Sequence, residues 1–296
     1  MGEKTKKKKT GQGSTGRARP RAEHRGGLRR LWRVMWHVAV GLWLLSCVAV
    51  LAYRWVFPPL TPLMVQRFVE QALHKERNVR FERDYVRLEA VSPQLVTAVV
   101  SAEDGRFLHH RGFDIGQLKQ SYVDNRSGRL RGGSTISMQT AKNVFLSHRR
   151  TYLRKAFEAY FTQLIEWLWG KQRIMEVYLN VIEFGDCIYG CEAAAQHYFH
   201  HSAAKLTSHE AAQLAACLPA PLRRNPELAT PYYVKQTSVV EKRMKQQGAV
   251  HIDRWREVRE LDRKRGYHEE TLLDFVRWLR MQRRMEREQI QGEQKE

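Results

Sequence analysis

Glu103 and Asp104 end an apolar stretch with helical spacing. A helix C-terminus carries partial negative charge, so each carboxylate there costs about 0.3–1 kcal/mol where Lys or Arg would be favoured. A breach of a local rule often marks a functional site. Burial and the dipole both raise a carboxylate's pKa, which makes Glu103 a usable proton acceptor near neutrality. The acids continue as E-D-x-x-F-x-x-H-x-G-x-D, through Phe107, His110, Gly112 and Asp114. On residue types alone, a structural acid–His network explains that spacing as well as a catalytic one.

Two further groups suit phosphate and sugar chemistry. Gly132-Gly133-Ser134-Thr135 precedes a helix running through Lys142, and free backbone N–H groups at such a start can meet phosphate oxygens. An ordinary helix cap explains the tetrapeptide too. Lys142, Arg149, Arg150, Arg154 and Lys155 form a basic set suited to a pyrophosphate, with Arg149 reading best as a solvated charge. Arg154, Lys155 and Glu158 lie one helical turn apart, which a weak surface salt bridge would also explain. Glu103 and Glu158 are then a candidate carboxylate pair beside cations, as glycosyl chemistry requires.

Other apparent motifs carry nothing. His209-Glu210 lacks the second histidine of a zinc helix. Ser202-x-x-Lys205 and Lys9-Thr10-Gly11 have the form of penicillin-binding motifs but fall on opposite sides of the expected membrane. Cys187 and Cys191 fit a disulfide or a pair of buried thiols equally.

These residues need helices to hold them. Ser92-Pro93 is a helix start, followed by Leu95, Val96, Val99 and Val100 at helical spacing. Residues 63–74 read as a short amphipathic helix behind a stiff Pro58-Pro59 spacer. Residues 151–180 read as helix with a break at Gly170, and Thr207 with Glu210 forms a capping box. Few segments alternate with period two, so the domain is mainly α. Residues 253–296 read as a charged helix pair around Gly266 with no legible purpose.

Charge sorts the ends. Half of the net charge of +20 lies in residues 1–33, directly before an apolar stretch at 34–53. Twenty helical residues span the roughly 30 Å bilayer core, and Trp32, Trp36, Tyr53 and Trp55 flank it as interfacial aromatics do. The reading is a basic, disordered cytoplasmic tail (1–33) and a signal anchor (34–54). A spacer with a membrane-proximal helix (55–90), a catalytic domain (91–250) and a charged extension (251–296) follow. The tail then faces anionic lipid rather than nucleic acid. Apolar content of 43% excludes a wholly disordered chain, and four cysteines exclude a disulfide-framed mini-protein.

The motifs EDGRFLHHRGFD, GGSTISMQTAKN, RKAFE, RIMEVYLN with EFG, and GCEAAAQHYF occur in that order. Together they make the chain resemble the peptidoglycan glycosyltransferases of the lysozyme-like family, specifically the monofunctional biosynthetic transglycosylases, over roughly residues 54–249. The resemblance implies a mainly α, lysozyme-like glycosyltransferase domain with a membrane-proximal lobe, preceded by one transmembrane helix. It implies lipid II and the nascent lipid-linked glycan as substrates, at the bacterial inner membrane, with the catalytic domain periplasmic.

By the same matching Glu103 is the general base and Glu158 the second acid, which orients the donor. Lys142, Arg150, Arg154, Lys155, Ser134, Thr135, Gln139 and Asn143 bind substrate. Asp104, Phe107, His110 and Asp114 support the base. A divalent cation, Mg or Mn, is expected at Glu158, with no organic cofactor. Met138 departs from the glutamine frequent in the family, and residues 124–131 fall in its mobile region. Contacts with other cell-wall synthesis or division proteins are expected only at family level. A glycan-cutting hydrolase needs no cation set for pyrophosphate, a membrane scaffold leaves the acids unexplained, and the residues after 249 are too few for a transpeptidase.

Overall fold

The computed structural model describes residue 2 and residues 23–73, 80–129, 131–147, 151–267 and 269–293. The chain divides into two compact units, residues 1–48 and 49–296. The first is dominated by α1 (Glu23–Ala52), within which Arg29–Ala52 is long and apolar enough to cross a membrane, with mean hydropathy 2.1. The helix begins before the apolar stretch, so residues 23–33, expected to be disordered, are helical. Extending an existing helix adds a hydrogen bond for each residue fixed, without a new nucleus.

The second unit is helical, with α2 (Pro62–Leu73), α3 (Pro93–Glu103), α4 (Ile115–Arg126), α5 (Ile136–Phe145), α6 (Tyr152–Leu168) and α7 (Gly170–Val181) in its first part. Between α2 and α3 lies β1 (Glu82–Arg83). After α7 come β2 (Glu183–Gly185), β3 (Ile188–Tyr189), α8 (Cys191–Phe199), α9 (Ser208–Cys217) and α10 (Pro231–Gln247). The strands make one small sheet in the order β1-β3-β2, with β1 parallel and β2 antiparallel to β3.

α3 is the central post. Ser92 caps it, accepting from Gln94 N, and Pro93 opens its first turn. Leu95, Val96, Ala98, Val99 and Val100 are all buried, and α9 and α10 pack against it. The small side chains of α9 (Ala211, Ala212, Ala215, Ala216) permit that close approach. The capping box at Thr207 and Glu210 forms as expected. α6 and α7 meet at Trp169, where Gly170 takes φ +77° and a Cβ would come within 3.2 Å of the Trp255 ring.

The charged tail folds into α11 (Trp255–Lys264) and α12 (Leu272–Glu293), and α12 packs on α4 through Tyr122 and Trp278, whose ring centroids lie 5.5 Å apart.

Candidate active site

The end of α3 presents Glu103, partly buried, to α5. Gln139 Nε2 donates to its carboxylate at 2.7 Å, and the Tyr178 hydroxyl donates to Gln139 Oε1 at 3.2 Å. Tyr178 thus fixes which end of the amide faces the acid. Burial pushes the Glu103 carboxyl above the usual glutamate range. The Gln139 hydrogen bond pulls it back, Asp104 pushes it up again, and Lys142 and Arg243 lower it. Carbonyls at and just past the end of α3 are met from α10: Arg243 donates to Ala102 O at 3.4 Å, and Gln247 donates to Gly105 O at 3.1 Å. Gln247 therefore steadies the backbone at Gly105.

Asp104 is buried beside Glu103. It accepts His110 Nε2 at 3.0 Å and the backbone N–H of Ile136, the first residue of α5, at 3.0 Å. Its hydrogen bonds thus run to His110 and to the start of α5, while its charge acts on Glu103. Asp104 holds α5 against the end of α3, and it is α5 that brings Gln139 to the base. Thr135 caps α5, accepting from Met138 N, and donates to Gly112 O at 2.5 Å. Gly112 has φ +93°, and a Cβ there would fall 2.8 Å from Thr162 Cγ2, so this turn requires glycine. Asp114 caps α4, accepting from Gln117 N. Phe107 is fully buried, with Lys171 Nζ 4.4 Å from its ring centre.

The second acid is no surface ion pair. Glu158 is 2% exposed and receives Arg154 at 2.7 Å and Lys155 at 2.5 Å. Lys142 is pushed below the usual lysine range by burial. Glu158 opposes that shift, Arg154 and Lys155 add to it, and Glu103 opposes it. Lys142 therefore senses both acids, and the site runs from a desolvated carboxylate at the end of α3 to a cation cluster on α6. Ser134 is partly buried just before α5, and Asn143 is buried on it, its Nδ2 without a hydrogen-bond partner among the described residues. Arg150 lies outside the described residues, as does Arg149.

The donor set does not make a resident metal cage. Both Glu158 oxygens are engaged by cations, and among the described residues no group of three or more His, Cys, Asp or Glu side chains could hold a metal ion.

Sequence reasoning missed a buried pair behind the site. Lys171 and Glu166, 1% and 3% exposed in their side chains, meet at 2.6 Å, and the Ser137 hydroxyl on α5 also donates to Glu166. Tyr178 and Arg243 were missed as well. The signal for Lys171 and Tyr178 was their place around RIMEVYLN, where a lysine and a tyrosine seven residues apart fall on one helical face. Nothing in the sequence pointed to Arg243.

A family model described as transglycosylase matches residues 70–245. The chain is 51% identical over 207 residues to the biosynthetic peptidoglycan transglycosylase of Caulobacter vibrioides, covering 70% of this chain and 86% of that protein. It is 49% identical to the protein of the same name in Rhodospirillum centenum, covering 73% of this chain and 91% of the relative. With the Pseudomonas putida protein of that name it shares 42% identity, over 75% and 92% of the two chains.

Proposed function

Since the chain belongs to the transglycosylase family, we propose that it is a monofunctional peptidoglycan glycosyltransferase that polymerises lipid II during cell-wall synthesis. Glu103 accepts the proton of the acceptor sugar's 4-hydroxyl. The oxygen attacks the anomeric carbon of the lipid-linked donor from the face opposite its α-linked pyrophosphate. A β C–O bond forms, the bond to the leaving oxygen breaks, and undecaprenyl pyrophosphate departs with the electron pair. Lys142, Arg150, Arg154 and Lys155 meet its charge, while Glu158 holds Arg154 and Lys155 in place. Ser134, Thr135, Gln139 and Asn143 shape the substrate site.

α1 is read as a single-pass anchor. By the positive-inside rule, the basic residues preceding its apolar stretch favour a cytoplasmic N-terminus, with the catalytic unit outside the bacterial inner membrane.

The observation that carries this reading is the pairing of Glu103, held by Gln139 at 2.7 Å, with buried Glu158, which grips Arg154 and Lys155, while Lys142 lies on the same helix as Gln139. A base and a cation set in one site suit transfer from a pyrophosphate donor. The test is polymerisation of labelled lipid II by the full-length protein and by Glu103→Gln. Loss of general-base catalysis should slow the reaction by about 10²–10⁴-fold. Undiminished polymer from the variant removes the base assignment. Absence of polymer from the parent, or cleavage of finished glycan, overturns the function.

A further inference from the structure

Phe113, Ile115 and Met138 form a small buried cluster apart from the main core, closed by Leu118, Ala159 and Phe275. All but one belong to segments that carry candidate site residues or lead into them. Phe113 follows His110, Ile115 and Leu118 are on α4, Met138 precedes Gln139, and Ala159 follows Glu158. Phe275 belongs to α12, beyond the residues that the family model matches.

Polar contacts from the same extension converge on residues 106–126. His109 meets Asp262 at 2.7 Å, Arg111 meets Glu269 at 3.2 Å and Lys119 meets Glu270 at 2.5 Å. Arg126 pairs with Glu286, and Arg106 lies 5.3 Å from the Tyr267 ring centre. Each exposed pair is weak alone. Spread along one segment around an apolar anchor, together they fix its position.

α4 in turn holds the glycine loop. Ser121 donates to Gly132 O at 3.2 Å, Asn125 donates to Arg131 O at 3.2 Å, and Arg131 N donates to Asn125 Oδ1 at 2.8 Å. A Cβ on Gly133 would fall 2.9 Å from Ser121 Oγ, so loop and helix touch. That loop delivers Ser134, Thr135 and α5.

We propose that the C-terminal extension is a positioning element of the active site, in which Phe275 sets the placement of α4 and, through it, of the loop leading into α5. Met138 fits this arrangement. A glutamine there would bury an amide in an apolar cluster, whereas a thioether suits it. The proposal rests on the glycosyltransferase reading for its kinetic consequence only.

The test uses the full-length protein in detergent with Phe275→Ala, Phe275→Leu, Lys119→Glu, Glu270→Lys and the charge-swapped double variant. Backbone hydrogen exchange is read first. Phe275→Ala should speed exchange across residues 113–126 and 131–134 by about tenfold or more, with α3 and α9 unchanged. Phe275→Leu should stay near the parent. Lys119→Glu should speed exchange less, and the double variant should restore it.

In lipid II polymerisation, Phe275→Ala should raise KM several-fold and shorten the product while kcat stays within about twofold of the parent, because it disturbs binding geometry and not the base. Leucine should recover KM. Unchanged exchange in 113–126 for both Phe275→Ala and Lys119→Glu overturns the proposal. Faster exchange with KM and product length unmoved overturns it too, leaving α12 a stabiliser only. A parent that makes no polymer refutes the proposed function instead, and exchange still decides whether α12 holds α4.

Discussion

Gln139 donates its side-chain N–H to Glu103 at 2.7 Å, so a residue on another helix favours the charged form of the proposed base. Burial and this hydrogen bond push in opposite directions, and burial prevails. The rate should therefore fall as pH drops through a value above the usual glutamate range, because protonated Glu103 cannot accept a proton. Gln139→Leu removes a partner of the charged form, raising that pKa further and moving the acidic limb of kcat/KM to higher pH. Tyr178→Phe should move it less in the same direction. A pH–rate profile of lipid II polymerisation checks both.

Lys171 and Glu166 should behave as a buried ion pair. Lys171→Met leaves Glu166 with the Ser137 hydroxyl but without its cation, and should cost about 3–5 kcal/mol in chemical denaturation. Replacing both by apolar residues of similar volume should recover much of that loss.

Glu183 gives stability a pH dependence of its own. Burial raises its pKa to about 7 against the pull of Arg67, 3.6 Å away. Near pH 4 the carboxyl is protonated in both folded and unfolded chains. As pH rises from about 4.5 to 7 the unfolded chain releases its proton first, so stability falls through that window and then levels. Glu183→Gln should flatten this slope and raise stability at pH 8 by up to about 3 kcal/mol. Thermal midpoints across the pH range test it.

The cysteines should resist modification. Cys187, Cys191 and Cys217 are free and buried, and burial pushes Cys191 and Cys217 up to about 12. Cys187 and Cys191 are thus thiols, not a disulfide. The native protein should react slowly with a thiol reagent at pH 8 at these positions, and rapidly once unfolded.

What the sequence made legible was local. Ser92-Pro93, the Thr207 capping box and the break at Gly170 are signals written within a few neighbouring residues, and each formed. Glu103 stood out because a carboxylate at a helix end contradicts the dipole. The Glu158 cluster stood out by turn-length spacing. What stayed hidden was long-range. Gln139 was assigned to the substrate site without its bond to Glu103, because nothing between the two residues encodes their approach. Asp104 was grouped with His110 as a support of Glu103, but its bond to Ile136, 32 residues on, was not legible. Lys171 and Glu166 resemble surface charges in a helical string, since burial depends on what other helices cover. The extension's periodicity gave its two helices but not their docking, because a charged helix fits many surfaces.

Asp104 gathers the end of α3, the His110 turn and the start of α5 onto one carboxylate. The contact with Ile136, 32 residues on, has a larger loop to close than any helical turn, so it forms after local helices. Catalytic competence is thus a property of the finished tertiary structure and not of any fragment. A nascent or partly unfolded chain can own every helix of the site and still lack the arrangement that the proposed reaction needs.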